Sequence, residues 1–304
     1  MIGDRVRNAA FERALAKVIV PGESVVADIG AGTGVLSFFA RKLGAKECIL
    51  YEYGDILHLA KILARENGIT GLRFVAEHSA HAKHPVRADI VVSETLGNFA
   101  LEEHIIETMN DARKRHLKEG GILLPSRLTQ FVAPVCSPRF HREIDTWDLS
   151  TYALDFSAAR ETAFHNIYVR TVLPEDIFDG ETSVRECDDL DFYQENESRR
   201  TWTVEWAMPK AGESFGFVLV WEALLTEGIT LSTSPFTAPT HWEQVFMPLP
   251  EYLPWMAGDH LALRVTTDTR LQIGTNVTWQ ARVLREGKEV VSSPLMDMRK
   301  GHID

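Results

Sequence analysis

A short apolar run, Ser24 to Ile29, ends in the turn Asp28-Ile29-Gly30-Ala31-Gly32-Thr33-Gly34 and gives way at once to a helical pattern, Val35 to Leu43. A strand that stops on closely spaced glycines and restarts as a helix lets the backbone turn tightly and lets a ligand approach it closely. The free N–H groups at the helix start favour a carboxylate or a phosphate. Glu52 ends the following strand pattern, twenty residues beyond Gly32, where an acid suits the two hydroxyls of a ribose. The dinucleotide fingerprint G-x-G-x-x-G needs its third glycine at position 35, which is Val35. The spacing therefore counts against a nicotinamide dinucleotide.

The same alternation continues downstream. Glu47 to Glu52 reads as a strand, Ile56 to Asn67 as a helix, and Leu72 to Ala76 and Ala88 to Ser93 as strands. Leu101 to Leu117 reads as a helix, and Ile122 to Leu124 as a last strand. Strand and helix alternating at this spacing predict a parallel sheet with helices on both faces, an α/β Rossmann-like domain over residues 1–125. The period changes at Pro125. From Arg127 onward β-branched and aromatic runs dominate, among them LTQFVAPV, RTWTVEWAM, FGFVLVWEALL and HLALRVTTD. They predict an all-β sandwich or barrel-like domain over 126–304. Phe140 to Phe164 interrupts the pattern and reads as a helical insertion.

Composition narrows the partners. The net charge of −11 argues against broad nucleic-acid binding and admits a basic protein substrate. Cys48, Cys136 and Cys187 are too sparse for a disulfide framework and fit a reducing compartment, so a cytoplasmic location is expected. No apolar run is long enough to span a bilayer, so no membrane association is expected. His78, His81 and His84 match no zinc spacing, and no metal is expected. Arg113, Lys114 and Arg115 read as a solvated face at a helix end.

The carboxyl end of a parallel strand is where α/β enzymes place chemistry. Glu94 stands there, and Glu103 follows nine residues later. A loop of that size can bring both carboxylates to one cavity, where they suit the forked donors of a guanidinium. Spacing alone favours a plainer reading, in which Glu102 and Glu103 stabilise a helix N-terminus.

The segment from Ser93 to Arg127 (SETLGNFALEEHIIETMNDARKRHLKEGGILLPSR) resembles the double-glutamate loop and following helix of protein arginine methyltransferases. The G-x-G-x-G turn resembles that of class I S-adenosyl-L-methionine methyltransferases. Thr240-His241-Trp242 is similar to the arginine methyltransferase family's T-H-W loop, the segment from Met1 to Arg7 to its pre-strand helix, and MDMRKG to its closing strand.

The resemblance implies an N-methyltransferase that uses S-adenosyl-L-methionine, releases S-adenosylhomocysteine and acts on arginine-containing proteins. The alternatives are another acceptor, such as a small amine or a dedicated protein site, and a cofactor-binding scaffold without turnover. It implies that Glu94 and Glu103 hold the guanidinium and that His241 borders the substrate channel. Arg7 is then expected at the cofactor carboxylate, with Met1 near the sulfonium. Asp28, Gly30, Gly32 and Gly34 line the amino-acid end, Glu52 the ribose, and His78 or Ser79 the adenine. It also implies a head-to-tail homodimer built on an arm at about 140–164. The family's N-terminal cover helix is expected to be missing, and with it the aspartate partner of His241. Thr95-Leu96, Asn98 and Glu102 stand where the family carries bulkier side chains.

Overall fold

The computed structural model describes residues 2–302. Helix α1 (Arg5–Val18) leads into the first sheet, and its buried face repeats at Arg7, Ala10, Phe11, Ala14 and Leu15. That i, i+3, i+4 spacing is what one buried helix face requires. Five parallel strands follow: β1 (Val25–Ile29), β2 (Glu47–Tyr51), β3 (Leu72–Val75), β4 (Ala88–Ser93) and β5 (Leu117–Leu124). Helices α2 (Val35–Lys42), α3 (Ile56–Glu66) and α4 (Ile105–Arg115) connect them. The strand order is β3-β2-β1-β4-β5. The order reverses beside β1, so the glycine turn after β1 and Glu94 after β4 leave the sheet side by side, with Ile29 paired to Ser93. A reversal of this kind opens a ligand crevice at the carboxyl ends of the strands.

The chain then becomes antiparallel. One sheet holds β6 (Arg127–Val135), β7 (Tyr168–Arg170), β8 (Arg185–Asp191), β10 (Gly212–Thr226), β11 (Ile229–Ser232) and β12 (Gln244–Trp255). The other holds β9 (Arg199–Ala207), β13 (His260–Asp268), β14 (Asn276–Arg285), β15 (Lys288–Ser292) and β16 (Met296–Asp297). Six of the seven tryptophans are buried in this half. A single apolar core runs from the parallel sheet into the antiparallel ones. The insertion is helical, as expected, with α5 (Arg139–Ile144) and α6 (Ser157–Phe164). Phe140, Ile144 and Phe164 sink into the molecule, whereas Tyr152, Leu154 and Phe156 face outward.

Three expectations need correction. Helix α4 begins at Ile105, not Leu101, because His104 adopts a left-handed conformation (φ 58°) that no helix continues through. Glu102 and Glu103 therefore sit on a turn ahead of the helix. Strand β5 begins at Leu117, earlier than Ile122. The basic trio at the end of α4 is not a solvated face. Arg113 and Lys114 pair with Glu195, and Arg115 donates to the carbonyls of Ala80 (2.6 Å) and Ala82. Strands β7, β11, β15 and β16 are short additions that the sequence pattern did not reveal. Among the described residues no helix is long and apolar enough to cross a membrane.

Candidate active site

The glycine turn is pinned before any ligand arrives. The N–H groups of Gly30 and Ala31 both donate to the Tyr51 carbonyl (2.9 and 3.1 Å). Gly30 has φ +71°, and a Cβ there would lie 2.9 Å from Thr95 Cγ2. Only glycine fits both demands. Behind the turn, Asp28 is buried and accepts from Ser37 Oγ (2.7 Å) and Ser37 N (3.2 Å). Burial pushes its carboxyl up to about 6, against the pull of the Ser37 bonds. Glu52 takes Gly32 N on one oxygen (3.0 Å) and Gly54 N on the other (2.8 Å). Each oxygen keeps a second lone pair for a further donor.

These residues open onto a cavity of about 920 Å³. Of the expected cofactor residues, Arg7, Asp28, Gly30, Gly32, Glu52, His78 and Ser79 line it, and so do Glu94 and Glu103. Gly34 does not. It caps α2 with φ +80°, facing Leu50 and Phe38. Met1 lies outside the described residues. Glu77, Glu107 and Thr108 also line the cavity and were not foreseen. Among the described residues no group of three or more His, Cys, Asp or Glu is placed to hold a metal ion.

Arg7 and Glu94 form a buried pair. Arg7 donates through Nε (2.7 Å) and Nη2 to Glu94 Oε2, and both side chains are almost fully enclosed. Glu94 Oε1 is buried with no partner among the described residues. Burial raises the Glu94 pKa against the opposing pull of Arg7, and Glu103 adds to the rise. Glu103 stands on an exposed turn at the cavity, hemmed in closely enough by protein to raise its own pKa.

His241 lies outside the cavity lining but is not alone. Asp4 Oδ2 accepts from both His241 Nδ1 and His241 N (2.8 Å each), while Asp4 Oδ1 caps α1 at Arg7 N (2.9 Å). The expected loss of an aspartate partner is thus wrong: Asp4 is that partner, carried by the chain's own first helix. The signal was available, since an aspartate just ahead of a helical run reads as its N-cap. These bonds hold the Asp4 carboxyl below its usual range despite burial, and burial lowers the His241 pKa.

The loop carrying Glu94 is tethered from the antiparallel half. Trp242 Nε1 donates to Leu96 O (2.7 Å), Trp221 Nε1 to Gly97 O (3.1 Å), and Glu243 N to Asn98 Oδ1 (2.9 Å). The two indoles pack edge to face at 5.0 Å. The same loop closes on itself, with Asn98 N donating to Glu102 Oε1 (2.8 Å).

Comparison with known proteins gives the family. Residues 126–275 match the arginine methyltransferase oligomerization subdomain, and residues 12–131 match the ribosomal protein L11 methyltransferase PrmA. Protein arginine N-methyltransferase 6 of Xenopus tropicalis is 30% identical over 264 residues, covering 83% of this chain and 77% of its own length. The chain belongs to the protein arginine methyltransferase family. A probable protein arginine N-methyltransferase 6 of Arabidopsis thaliana is 28% identical over 292 residues, covering 81% of this chain and 67% of its own. The fold matches a chain of the Trypanosoma brucei PRMT1 enzyme–prozyme heterotetrameric complex with AdoHcy. That match has TM-score 0.84 at 24% identity and covers 98% of this chain and 95% of that one. Arabidopsis thaliana protein arginine methyltransferase 10 matches with TM-score 0.80 at 20% identity, covering 98% of this chain and 95% of its own.

Proposed function

We propose that the protein methylates guanidinium nitrogens of arginine in protein substrates, using S-adenosyl-L-methionine. The observation that carries this reading is Glu94 Oε1, a buried carboxylate oxygen without a hydrogen-bond partner among the described residues, on a side chain that lines the cavity. A buried acceptor left open in this way is costly unless a donor arrives. A guanidinium brings such donors in a planar fork.

The cavity residues fit the cofactor. Arg7 keeps N–H groups free of Glu94 to meet a carboxylate, the Gly30–Gly32 backbone lies flush with the cavity, and Glu52 has acceptor capacity left for a diol. The cofactor supplies an electrophilic methyl on a sulfonium. Glu94 and Glu103 orient the acceptor and draw positive charge onto the nitrogens they hold, so the third nitrogen keeps more electron density. Glu103, with its raised pKa and access to solvent, takes the proton that leaves. His241, held by Asp4, positions the Arg7 end of α1 and the tether rather than touching the acceptor.

Residues 1–125 serve as the cofactor domain and 126–304 as the substrate domain, in a cytoplasmic homodimer. The dimer is supported by two outward apolar groups that lack cover within the chain. Tyr152, Leu154 and Phe156 stand out on the arm, and Ile56, Leu59 and Ile62 form a stripe along α3. Aromatic anchors of this kind are enriched at interfaces.

The test is transfer of labelled methyl groups to arginine-rich proteins. Glu94→Gln and Glu103→Gln should each lower kcat by roughly 10²- to 10³-fold, the scale of losing one preorganised electrostatic group. Wild-type rates in both variants would refute the assignment.

A further inference from the structure

Seven carboxylates line the cavity, and six of them either hold a donor on at least one oxygen or stand exposed. Asp28 is held by Ser37, and Glu52 by two backbone N–H groups. Glu94 is held by Arg7, and Asp111 by Arg115 (3.2 Å). Glu77 and Glu103 are exposed residues. Glu107 differs from all of these. Both of its carboxylate oxygens are shielded from solvent, and neither has a hydrogen-bond partner among the described residues. His104 Nδ1 lies 4.0 Å from Glu107 Oε2, beyond hydrogen-bond reach, and is already engaged with the Thr269 carbonyl (3.0 Å).

The position of Glu107 says what could satisfy it. The cavity runs across the carboxyl ends of the strands, from Arg7 and the glycine turn, past Glu52 beyond β2, to the turn at Ser79 beyond β3. Helix α4 packs against that last turn, where His116 Nε2 meets Ser79 O at 3.2 Å. Glu107 and Thr108 lie on the cavity side of the same helix. If the carboxylate of the cofactor lies at Arg7 and its ribose at Glu52, the base falls between α4 and the Ser79 turn. An ionised carboxylate only accepts hydrogen bonds. The exocyclic amine of adenine has N–H groups to give.

We infer that Glu107 reads the 6-amino group of the cofactor's adenine, and so sets the choice of base at this site. The inference rests on the cofactor reading above and adds a specificity residue to it. A 6-oxo base presents an acceptor to the same carboxylate and is rejected, because a site built to receive a donor discriminates against an analogue that lacks one.

The test is calorimetric titration of the whole chain with S-adenosylhomocysteine and with S-inosylhomocysteine, in which the 6-amino group is a 6-oxo group. The wild type should favour the adenosyl form by roughly ten- to a hundredfold, the scale of one hydrogen bond to a charged group. Glu107→Gln keeps the shape of the side chain and can turn its amide N–H toward a 6-oxo group. That variant should bind the inosyl form better than the wild type does, and the preference should shrink by at least tenfold. Thermal unfolding checks that it folds. Wild-type protein that binds S-adenosylhomocysteine, with the same preference in Glu107→Gln, overturns the role of Glu107 alone. Wild-type protein that binds neither form overturns the cofactor reading and this inference together.

Discussion

Replacing Asp4 with alanine removes three hydrogen bonds at once: the cap on Arg7 N and the two bonds from His241. Losing an aspartate cap costs about 1 kcal/mol. A hydrogen bond to a charged group is worth about 1.5–3 kcal/mol, and because His241 retains some access to water the lower figure applies to each. The gross loss is about 4 kcal/mol, from which relief of the carboxylate's burial returns about 1 kcal/mol, leaving a net of about 3 kcal/mol. For 304 residues the unfolding entropy is roughly 0.64 kcal/mol per kelvin, so Tm should fall by about 5 °C. Asp4→Asn keeps an oxygen for the cap but turns a donor toward His241, and should fall in between. The sign of the pH effect follows from the depressed Asp4 pKa. Its contribution is complete above the ordinary value of 3.8 and drains away as the pH drops through the folded-state value, so the gap to Asp4→Ala should narrow in acid. Circular dichroism melts at pH 7 and pH 3 measure both effects. An Asp4→Ala melt within about 1 °C of wild type at pH 7 would refute the reasoning.

Other outcomes follow from neighbouring features. Asp28 has a folded pKa raised from 3.8 to about 6, so the stability lost to its ionisation appears as pH rises through that window. Asp28→Asn should remove roughly 3 kcal/mol of that pH dependence in denaturant titrations between pH 4 and pH 7. Trp242→Phe deletes the bond to Leu96 O and should cost about 1–2 kcal/mol in the same titrations. In steady-state kinetics it should lower kcat while leaving the KM for S-adenosyl-L-methionine nearly unchanged, since the cofactor end of the cavity is untouched. Tyr152→Ser with Leu154→Ser and Phe156→Ser, or Leu59→Glu on α3, should each give a monomer in light scattering. A dimer that survives both sets would remove the arm and α3 from the interface.

The parallel half was legible because period and punctuation agree there. A strand such as Ala88 to Ser93 is an apolar run with a polar end, and the glycine turn marks its own place. Glu94 could be placed for the same reason, being the first residue past a strand. What the sequence hid was long-range. The placement of Gly97 and Leu96, just after Glu94, is set by indoles 124 and 146 residues away from the carbonyls they hold, and no local pattern encodes that. Glu107 was hidden differently. On a helix face it reads as an ordinary solvated glutamate, and only the cavity wall reveals that water does not reach its oxygens. Strands such as β7 and β16 are too short to show a period at all.

The tether bears on how this scaffold can change over evolutionary time. Its two indole anchors grip main-chain carbonyls, at Leu96 and Gly97, rather than any side chain. The loop can therefore exchange the side chain at Thr95, which lines the cavity, while the suspension that aims Glu94 stays in place and Leu96 stays in the core. A Cβ at Gly97 would lie 2.0 Å from Glu102 Oε1, so a larger residue there would push Glu102 off the Asn98 N–H that it accepts. The cavity wall and the suspension of the loop thus fall on different parts of one short segment, and a library built at position 95 should reshape the cavity without first having to rebuild the loop.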